Sequence, residues 1–469
     1  MTATVLVLFG ATGDLARRMV LPSFFTLVER GLLPGDWRLV GNGRGSRPDE
    51  EFRDAVRATL GGDDEAPDPD DLRWDDVAPH IRFAGGGFGE EDAGELPDVL
   101  RAVRAELGDD DVQVVFYLAL PPAVFEPVTA ALAAHGLTEG ARVVYEKPYG
   151  TSPEAFEQLD EAVHAVLDER QVFRIDHFLG KEATQDLHVL RFANQVFAGV
   201  WNAAHVEEVQ IDVPETLDVD GRAEFYDATG ATLDMLVTHL FQVAAEVAME
   251  PPASLRPADL QAAREAVIAA FRPLTAGDAV LGQYEGYRDV PGVPPDSRTD
   301  TFVAARLFVD TPRWSGVPFL LRTGKRMAAS AQQVTVLFRD VAGPLAGDAP
   351  PHGNRVSLSL AGSGGLDLGF VVKTPGPTLQ LTAGTAGLGL GELAEGEPLP
   401  PYATLLHDVL VGDRSLFTSR EGLRRAWRAA TPLLADRPPV QPYAQGSWGP
   451  DAAARLPRHG WATQPLPPP

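Results

Sequence analysis

The run Arg174-Ile175-Asp176-His177-Phe178-Leu179-Gly180-Lys181-Glu182 sets a carboxylate beside an imidazole and follows them with an ammonium. If the run coils into a helix, His177 and Lys181 stand at i and i+4 on one face and form a cationic cradle for an anionic group. The plain alternative is a strand end entering a helix, with Asp176 as N-cap and Lys181 solvated; taken alone, the run favours that alternative. A second chemical stretch is Gly10-Ala11-Thr12-Gly13-Asp14-Leu15, directly after an apolar segment. Glycines at 10 and 13 permit a tight turn and close approach of backbone to a pyrophosphate, whose charge suits a helix N-terminus. The spacing departs from G-x-G-x-x-G, and a pair of glycines by itself is a weak signal. A third is Asn42-Gly43-Arg44-Gly45-Ser46-Arg47. A site for NAD usually carries Asp or Glu here for the ribose 2′-hydroxyl, whereas Arg suits the 2′-phosphate of NADP. Arg44 and Arg47 therefore point to NADP, with a solvated arginine as the plainer reading of Arg47.

The elements that must hold these groups follow from the apolar pattern. Residues 4–9, 37–41, 112–120 and 142–145 read as buried parallel strands, and 124–134 and 153–168 as helices between them. The strand at 142–145 delivers Glu146-Lys147-Pro148-Tyr149-Gly150 to the carboxyl edge of the sheet, where open α/β folds bind ligands. After residue 176 the alternation stops. Residues 206–214, 302–309, 334–338 and 356–360 read as strands without intervening helices, and 232–249 as a long apolar helix. The expected architecture is α/β plus α+β. A Rossmann-like dinucleotide-binding domain covers 1–176, and a larger domain over 177–469, with a mostly antiparallel sheet and helices on one face, binds substrate and carries oligomerisation. The acidic, turn-rich 61–71 segment reads as a loop and the Pro-rich 447–469 tail as irregular.

Length and composition set the bounds. A chain of 469 residues with 44% apolar content can bury two cores. It contains no cysteine, which rules out disulfides and thiolate metal ligands, and no metal site is expected. A formal charge of -26 argues against binding to nucleic acid, so any anionic ligand needs a local cluster of Arg and Lys. The first strand lacks the basic start and cleavage site of a signal peptide, and no apolar run reaches membrane-spanning length, so a cytoplasmic location is expected.

Taken in order, Gly10-Ala-Thr-Gly-Asp-Leu-Ala, Tyr117-Leu-Ala-Leu-Pro-Pro, Glu146-Lys-Pro-Tyr-Gly, Arg174-Ile-Asp-His-Phe-Leu-Gly-Lys-Glu, Ala248-Met-Glu-Pro-Pro, Arg313-Trp-Ser-Gly-Val-Pro-Phe, Arg322-Thr-Gly-Lys-Arg and Ser447-Trp-Gly-Pro resemble the glucose-6-phosphate dehydrogenase family over nearly the whole chain. The resemblance implies NADP-dependent oxidation of glucose 6-phosphate at C1 to the 6-phosphogluconolactone, in a homodimer or homotetramer formed through the large sheet. It implies His239, in Gly230-Ala-Thr-Leu-Asp-Met-Leu-Val-Thr-His, as general base, with Asp176 orienting it. It implies Gly10, Thr12, Gly13, Asp14, Leu15 and Arg44 at the cofactor, and Lys147 between cofactor and sugar. Glu215, Asp234 and Lys325 match positions that bond sugar hydroxyls, and His177 and Lys181 match positions that hold the 6-phosphate. The types suit the chemistry, since a C1 hydroxyl must lose a proton and an imidazole titrating near pH ~6.5 can take it. Without the resemblance, His239 would read as a satisfied histidine on an apolar helix.

The departures concern the phosphate pocket. Phe178 stands where the family usually has Tyr, and Ser330 where a lysine is expected; Leu233, Val237 and Thr238 replace the usual Arg and Gln-Asn, and Met19 a frequent Lys. Two further readings follow: a same-fold dehydrogenase of another aldose or sugar phosphate, and a catalytically silent paralogue that keeps the cofactor. The retained Asp176, His239 and Lys147 count against silence.

Overall fold

The near-continuous apolar run at the start of the chain forms strand β1 (Ala3–Phe9), buried along its whole length because sheet neighbours flank it and helices cover both faces. A computed structural model of the chain describes residues 3–61, 67–108, 112–219, 221–345, 348, 350–393 and 398–464. With β2 (Trp37–Asn42), β3 (Ile81–Ala84), β4 (Val112–Leu118), β5 (Arg142–Tyr145) and β6 (Val172–Arg174), β1 builds a six-stranded sheet of order β3-β2-β1-β4-β5-β6. All five pairings are parallel. This is the doubly wound order, and it reverses between β1 and β4, the crevice where such sheets take their ligands.

The first compact unit holds residues 1–180 together with 254–261 and 399–420. The helix Pro401–Val411 supplies Ala403, Leu405, Leu406, Val409 and Leu410 to the same core as Leu6, Leu8, Phe24, Phe25 and Phe52. Its end is tied down by Arg142, whose Nη1 donates to the carbonyls of Val409 and Leu410, both at 2.7 Å. Gly412, at φ 83°, then turns the chain out of the helix. A boundary at residue 176 could not include these returning segments, because nothing local in residues 399–420 says which core they join.

The second unit holds residues 181–253, 262–398 and 421–469. Its nine-stranded sheet contains β7 (Val206–Pro214), β8 (Ala279–Tyr284), β9 (Phe302–Phe308), β10 (Pro318–Gly324), β11 (Gln333–Phe338), β12 (Arg355–Ser359), β13 (Gly365–Lys373), β14 (Leu381–Gly389) and β15 (Val440–Tyr443). The order is β14-β13-β12-β11-β7-β10-β9-β8-β15. Only β10 with β7 and β15 with β8 pair in parallel. The sheet is therefore mostly antiparallel, as the pattern of the sequence predicts. The expected helix over 232–249 is present, but its first part, Thr232–Leu240, is a π-helix that continues as the α-helix Phe241–Ala248.

Of the acidic 61–71 segment, residues 62–66 lie outside the described residues, as do 465–469 of the Pro-rich tail. The described part of that tail is irregular apart from the single turn Ala453–Arg455 and an isolated bridge between Ser447 and Met327. No described helix is long and apolar enough to cross a membrane.

Candidate active site

The glycine turn sits at the end of β1. Gly10 has φ +70°, and a Cβ there would lie 2.4 Å from the Ala119 carbonyl oxygen beyond β4, so only glycine fits. The Gly13 amide donates to the Gly10 carbonyl at 2.8 Å and closes the turn. Thr12 and Asp14 are exposed, Leu15 is half-buried, and the chain enters a π-turn, Ala16–Val20. At the end of β2, Arg44 is exposed and its side chain makes no ion pair or hydrogen bond among the described residues. Arg47 is otherwise employed: its guanidinium lies 5.3 Å from the centroid of the Phe83 ring and 3.7 Å from Glu51. These features fit a dinucleotide, with backbone close to a pyrophosphate and Arg44 as the cation available to a 2′-phosphate.

At the end of β5, Glu146 is buried and accepts a hydrogen bond from the Tyr117 hydroxyl at 2.6 Å. Burial pushes its carboxyl up, against the opposing pull of that hydroxyl and of Lys147. Lys147 follows, with a cis peptide to Pro148.

The run that follows β6 is not a helix. Arg174 ends the strand; residues 177–180 form a turn; the helix Glu182–Ala193 begins only after Lys181. The helical cradle of His177 and Lys181 is therefore not formed. Nor is Asp176 an N-cap. Its Oδ1 accepts the Phe178 amide at 2.9 Å and its carbonyl accepts the Leu179 amide, so it closes the turn instead. Asp176 and Phe178 are buried, while the half-buried His177 ring stacks on Tyr402 with centroids 6.3 Å apart. Gly180 is obligatory, because a Cβ would meet the Pro401 carbonyl oxygen at 2.7 Å. Arg174 itself is structural. It is buried against Glu169 (3.0 Å) and Asp160 (3.3 Å) and stacks over Tyr149.

In the second unit the π-helix carries Asp234 and His239, the latter 1% exposed. The Phe241 amide bonds to the Leu236 carbonyl five residues back, the π pattern that often marks a functional position. The start of this helix is pinned by a residue that no motif announced. Buried Asp300 accepts the Thr232 amide (2.8 Å) and hydroxyl (2.6 Å) and pairs with Arg437. A Cβ on Gly230, at φ +66°, would collide with its carboxylate. The other end is pinned by Glu246, which pairs with Arg264 and His188. Burial pushes the Glu246 carboxyl up, but these two partners outweigh it and hold it down at about 2.

Glu215 and Lys325 follow the paired ends of the parallel strands β7 and β10, where Pro214 is opposite Gly324. That register brings them together as an ion pair. The Tyr443 hydroxyl donates to the Lys325 carbonyl at 2.6 Å and fixes the backbone there. Lys181 donates from Nζ to Gln332 Oε1 (2.6 Å) and the Leu360 carbonyl (2.9 Å). Ser330, standing where a lysine was expected, is bonded to the Thr216 amide and hydroxyl, both at 3.0 Å.

In sum, Gly10, Thr12, Gly13, Asp14, Leu15, Arg44, Lys147, Asp176 and His177 belong to the first unit, at or just beyond the carboxyl ends of β1, β2, β5 and β6. Lys181, Glu215, Asp234, His239 and Lys325 belong to the second.

Residues 7–186 match the family model described as glucose-6-phosphate dehydrogenase, NAD binding domain, and residues 188–462 the model of the C-terminal domain. The chain is 38% identical over 480 residues to glucose-6-phosphate 1-dehydrogenase of Mycolicibacterium smegmatis, covering 97% of this chain and 96% of that one. It is 34% identical to the cytoplasmic glucose-6-phosphate 1-dehydrogenase 5 of Arabidopsis thaliana, over 96% and 90%. Among solved structures, the enzyme of Mycobacterium avium superposes with a TM-score of 0.87 at 33% identity over the full length of both chains. A glucose-6-phosphate dehydrogenase in complex with its substrate glucose-6-phosphate superposes at 0.88, with 30% identity over 96% and 95%. With both domain models matched in order and relatives aligned almost end to end, the chain belongs to the glucose-6-phosphate dehydrogenase family.

Proposed function

We propose that this protein oxidises D-glucose 6-phosphate at C1 to 6-phospho-D-glucono-1,5-lactone with NADP, the oxidation that opens the pentose phosphate pathway, in the cytoplasm and as a homodimer or homotetramer. The observation that carries the reading is the near end-to-end match to a relative whose structure is described as a complex with glucose-6-phosphate. The site residues are compatible with it. The nicotinamide, when bound, accepts the hydride from C1. His239, buried on its π-helix, takes the proton of the C1 hydroxyl as general base, and Asp176 orients the imidazole and stabilises its protonated form. Lys147 lies between cofactor and sugar. Glu215, Asp234 and Lys325 bind sugar hydroxyls, and His177 and Lys181 hold the 6-phosphate. The glycine turn and Arg44 bind the dinucleotide.

The test is an assay of the purified protein with NADP or NAD and a panel of sugars and sugar phosphates, following reduced nicotinamide. Glucose 6-phosphate with NADP should give the highest kcat/KM. His239→Asn should lower kcat by roughly two to four orders of magnitude with little change in sugar binding. Near-normal turnover in that variant would remove the base assignment. Free glucose turned over as well as glucose 6-phosphate would reassign the substrate.

A further inference from the structure

At the β8 and β15 end of the nine-stranded sheet, the second unit holds a cavity of about 920 Å³. None of the residues assigned above to cofactor, sugar or base lines it. Its charged walls are Arg288, Arg298, Arg437, Glu285 and Asp289. The arginines are held in place by Gln283. The Gln283 amide donates to the carbonyls of Ser297 (3.3 Å) and Thr299 (3.0 Å), which flank Arg298, and its oxygen accepts Arg288 Nε at 3.1 Å. Arg298 makes no ion pair or hydrogen bond among the described residues, and Arg288 makes none beyond that to Gln283. The carboxylates of Glu285 and Asp289 on the same wall pair with neither. In a chain of net charge -26, guanidinium groups kept apart from nearby carboxylates are arranged for a ligand and not for stability.

The third arginine leads to the helix of His239. Arg437 pairs with Oδ1 of buried Asp300, whose Oδ2 accepts the Thr232 amide and hydroxyl at the start of that π-helix. A second tie comes from the same wall. The Tyr287 hydroxyl (3.1 Å) and the Ser297 hydroxyl donate to Asp227 Oδ1, and the Thr299 hydroxyl donates to the Asp227 carbonyl at 2.6 Å. Asp227 stands on the helix Ala223–Ala231, which runs directly into the π-helix.

We propose that this cavity binds a nucleoside phosphate and that its occupancy is felt by the base helix. Guanidinium groups take phosphate oxygens in forked, charge-assisted pairs. Carboxylates bond ribose hydroxyls, as in dinucleotide sites, so Glu285 and Asp289 suit the sugar. Pro438, Pro439 and Pro442 give the lining an apolar surface for the base, and the volume suits a ligand of this size. An inorganic polyphosphate would meet the two carboxylates with charge alone and be repelled. Arg437 holds Asp300 through Nη2, which leaves Nη1 for phosphate. A phosphate there draws on the cation that neutralises Asp300, so occupancy weakens the anchor of the helix and slows the base. The binding stands by itself, and the slowing rests on His239 being the base.

The experiment is isothermal titration calorimetry of the protein saturated with NADP, which fills the dinucleotide crevice, against ATP, UTP, adenosine and inorganic triphosphate. Steady-state assays with glucose 6-phosphate accompany it. ATP or UTP should bind once per chain, adenosine and triphosphate roughly tenfold or more weakly, and the nucleotide should lower kcat without changing the KM of either substrate. Arg288→Ser combined with Arg298→Ser, both exposed, should weaken nucleotide binding at least tenfold and leave turnover without nucleotide unchanged. Absence of binding by both nucleotides, or binding that the double variant does not weaken, overturns the site. Triphosphate bound as tightly as ATP overturns the nucleoside assignment, and binding with no change in kcat overturns the coupling. Failure of the base assignment is distinguishable, because it appears as undiminished turnover in His239→Asn while the calorimetry is unaffected.

Discussion

At the scale of single residues, two positions carry charge that the local structure does not ask for. Arg44 is exposed at the end of β2 while Arg47 is occupied by Phe83 and Glu51, so in the proposed use of NADP the 2′-phosphate is expected to be read by Arg44. Losing a charge-assisted contact costs about 1.5–3 kcal/mol. Arg44→Ala should therefore raise the KM for NADP by roughly ten- to a hundredfold and leave that for NAD unchanged. Equal effects on both cofactors would show that Arg44 does not read the 2′-phosphate. Lys181 is the N-cap residue of the helix Glu182–Ala193, where a cation opposes the helix dipole by about 0.3–1 kcal/mol. A residue that weakens its own helix is expected to serve a ligand. Two of its three donors go to Gln332 and the Leu360 carbonyl, which fix where the ammonium lies. Phe178 supplies no hydroxyl and Ser330 no charge, so in the proposed phosphate site Lys181 is expected to carry more of the binding. Lys181→Ala should raise the KM for glucose 6-phosphate at least tenfold, about 1.4 kcal/mol. Ser330→Lys should lower it, although its bonds to Thr216 are lost. An unchanged preference for glucose 6-phosphate over glucose in Lys181→Ala would take Lys181 out of the phosphate site.

At the scale of elements, the first sheet is held at β6 by a buried ionic cluster. His164 bonds to Glu169 at 2.8 Å and lies 3.3 Å from Asp160, and both carboxylates pair with Arg174. Its bonds to Asp160 and Glu169 raise the imidazole to about 9, while for Glu169 burial is outweighed by His164 and Arg174, which pull the carboxyl well below its ordinary range. For the histidine, whose folded value is raised, the stabilisation is complete below pH ~6.5 and is lost as pH rises through about 9. For the glutamate, whose folded value is lowered, it is complete above the ordinary carboxylate value and is lost in acid. Thermal stability should therefore decline between pH ~6.5 and 9, by about 1–2 kcal/mol after allowing for partial exposure, and His164→Gln should flatten that decline. A variant with the same slope would acquit the cluster. Arg174 was legible as charged but not as structural, since Asp160 and Glu169 come from other elements. The same limit explains what else the sequence concealed. The parallel strands at 4–9, 37–41, 112–120 and 142–145 and the glycine turn follow from local pattern, whereas the short β3 and β6 do not, and the strands at 206–214, 302–309, 334–338 and 356–360 appear within a residue or so. By contrast, Asp300, Arg437 and Glu246 become pins of the base helix only through partners distant in sequence. β13 and β14 escaped because they are glycine-rich and lack an alternating buried face.

At the scale of the whole molecule, β14 ends the nine-stranded sheet, and it and β13 are mostly solvent-facing on both sides. Phe370, Val372 and Leu388 are 49%, 45% and 44% exposed there. A free edge carrying apolar side chains invites association unless charge blunts it. The chain has 66 acidic residues, yet across Gly365–Lys373 and Leu381–Gly389 the charged residues are Asp367 and Lys373 alone. Depletion of charge about an apolar patch is the compositional mark of an interface core, and on a surface of net charge -26 it is where two copies can meet with least repulsion. The homo-oligomer proposed above is expected to form through this end of the sheet. Sedimentation velocity on the purified protein should give a dimer or tetramer. Phe370→Glu combined with Leu388→Glu places two carboxylates per protomer in the patch and should shift the protein to monomer. Far-ultraviolet circular dichroism should be unchanged, because neither side chain is part of a buried core. If the double variant keeps the mass of the unmodified protein, the copies meet elsewhere. A monomeric unmodified protein would remove the oligomer itself.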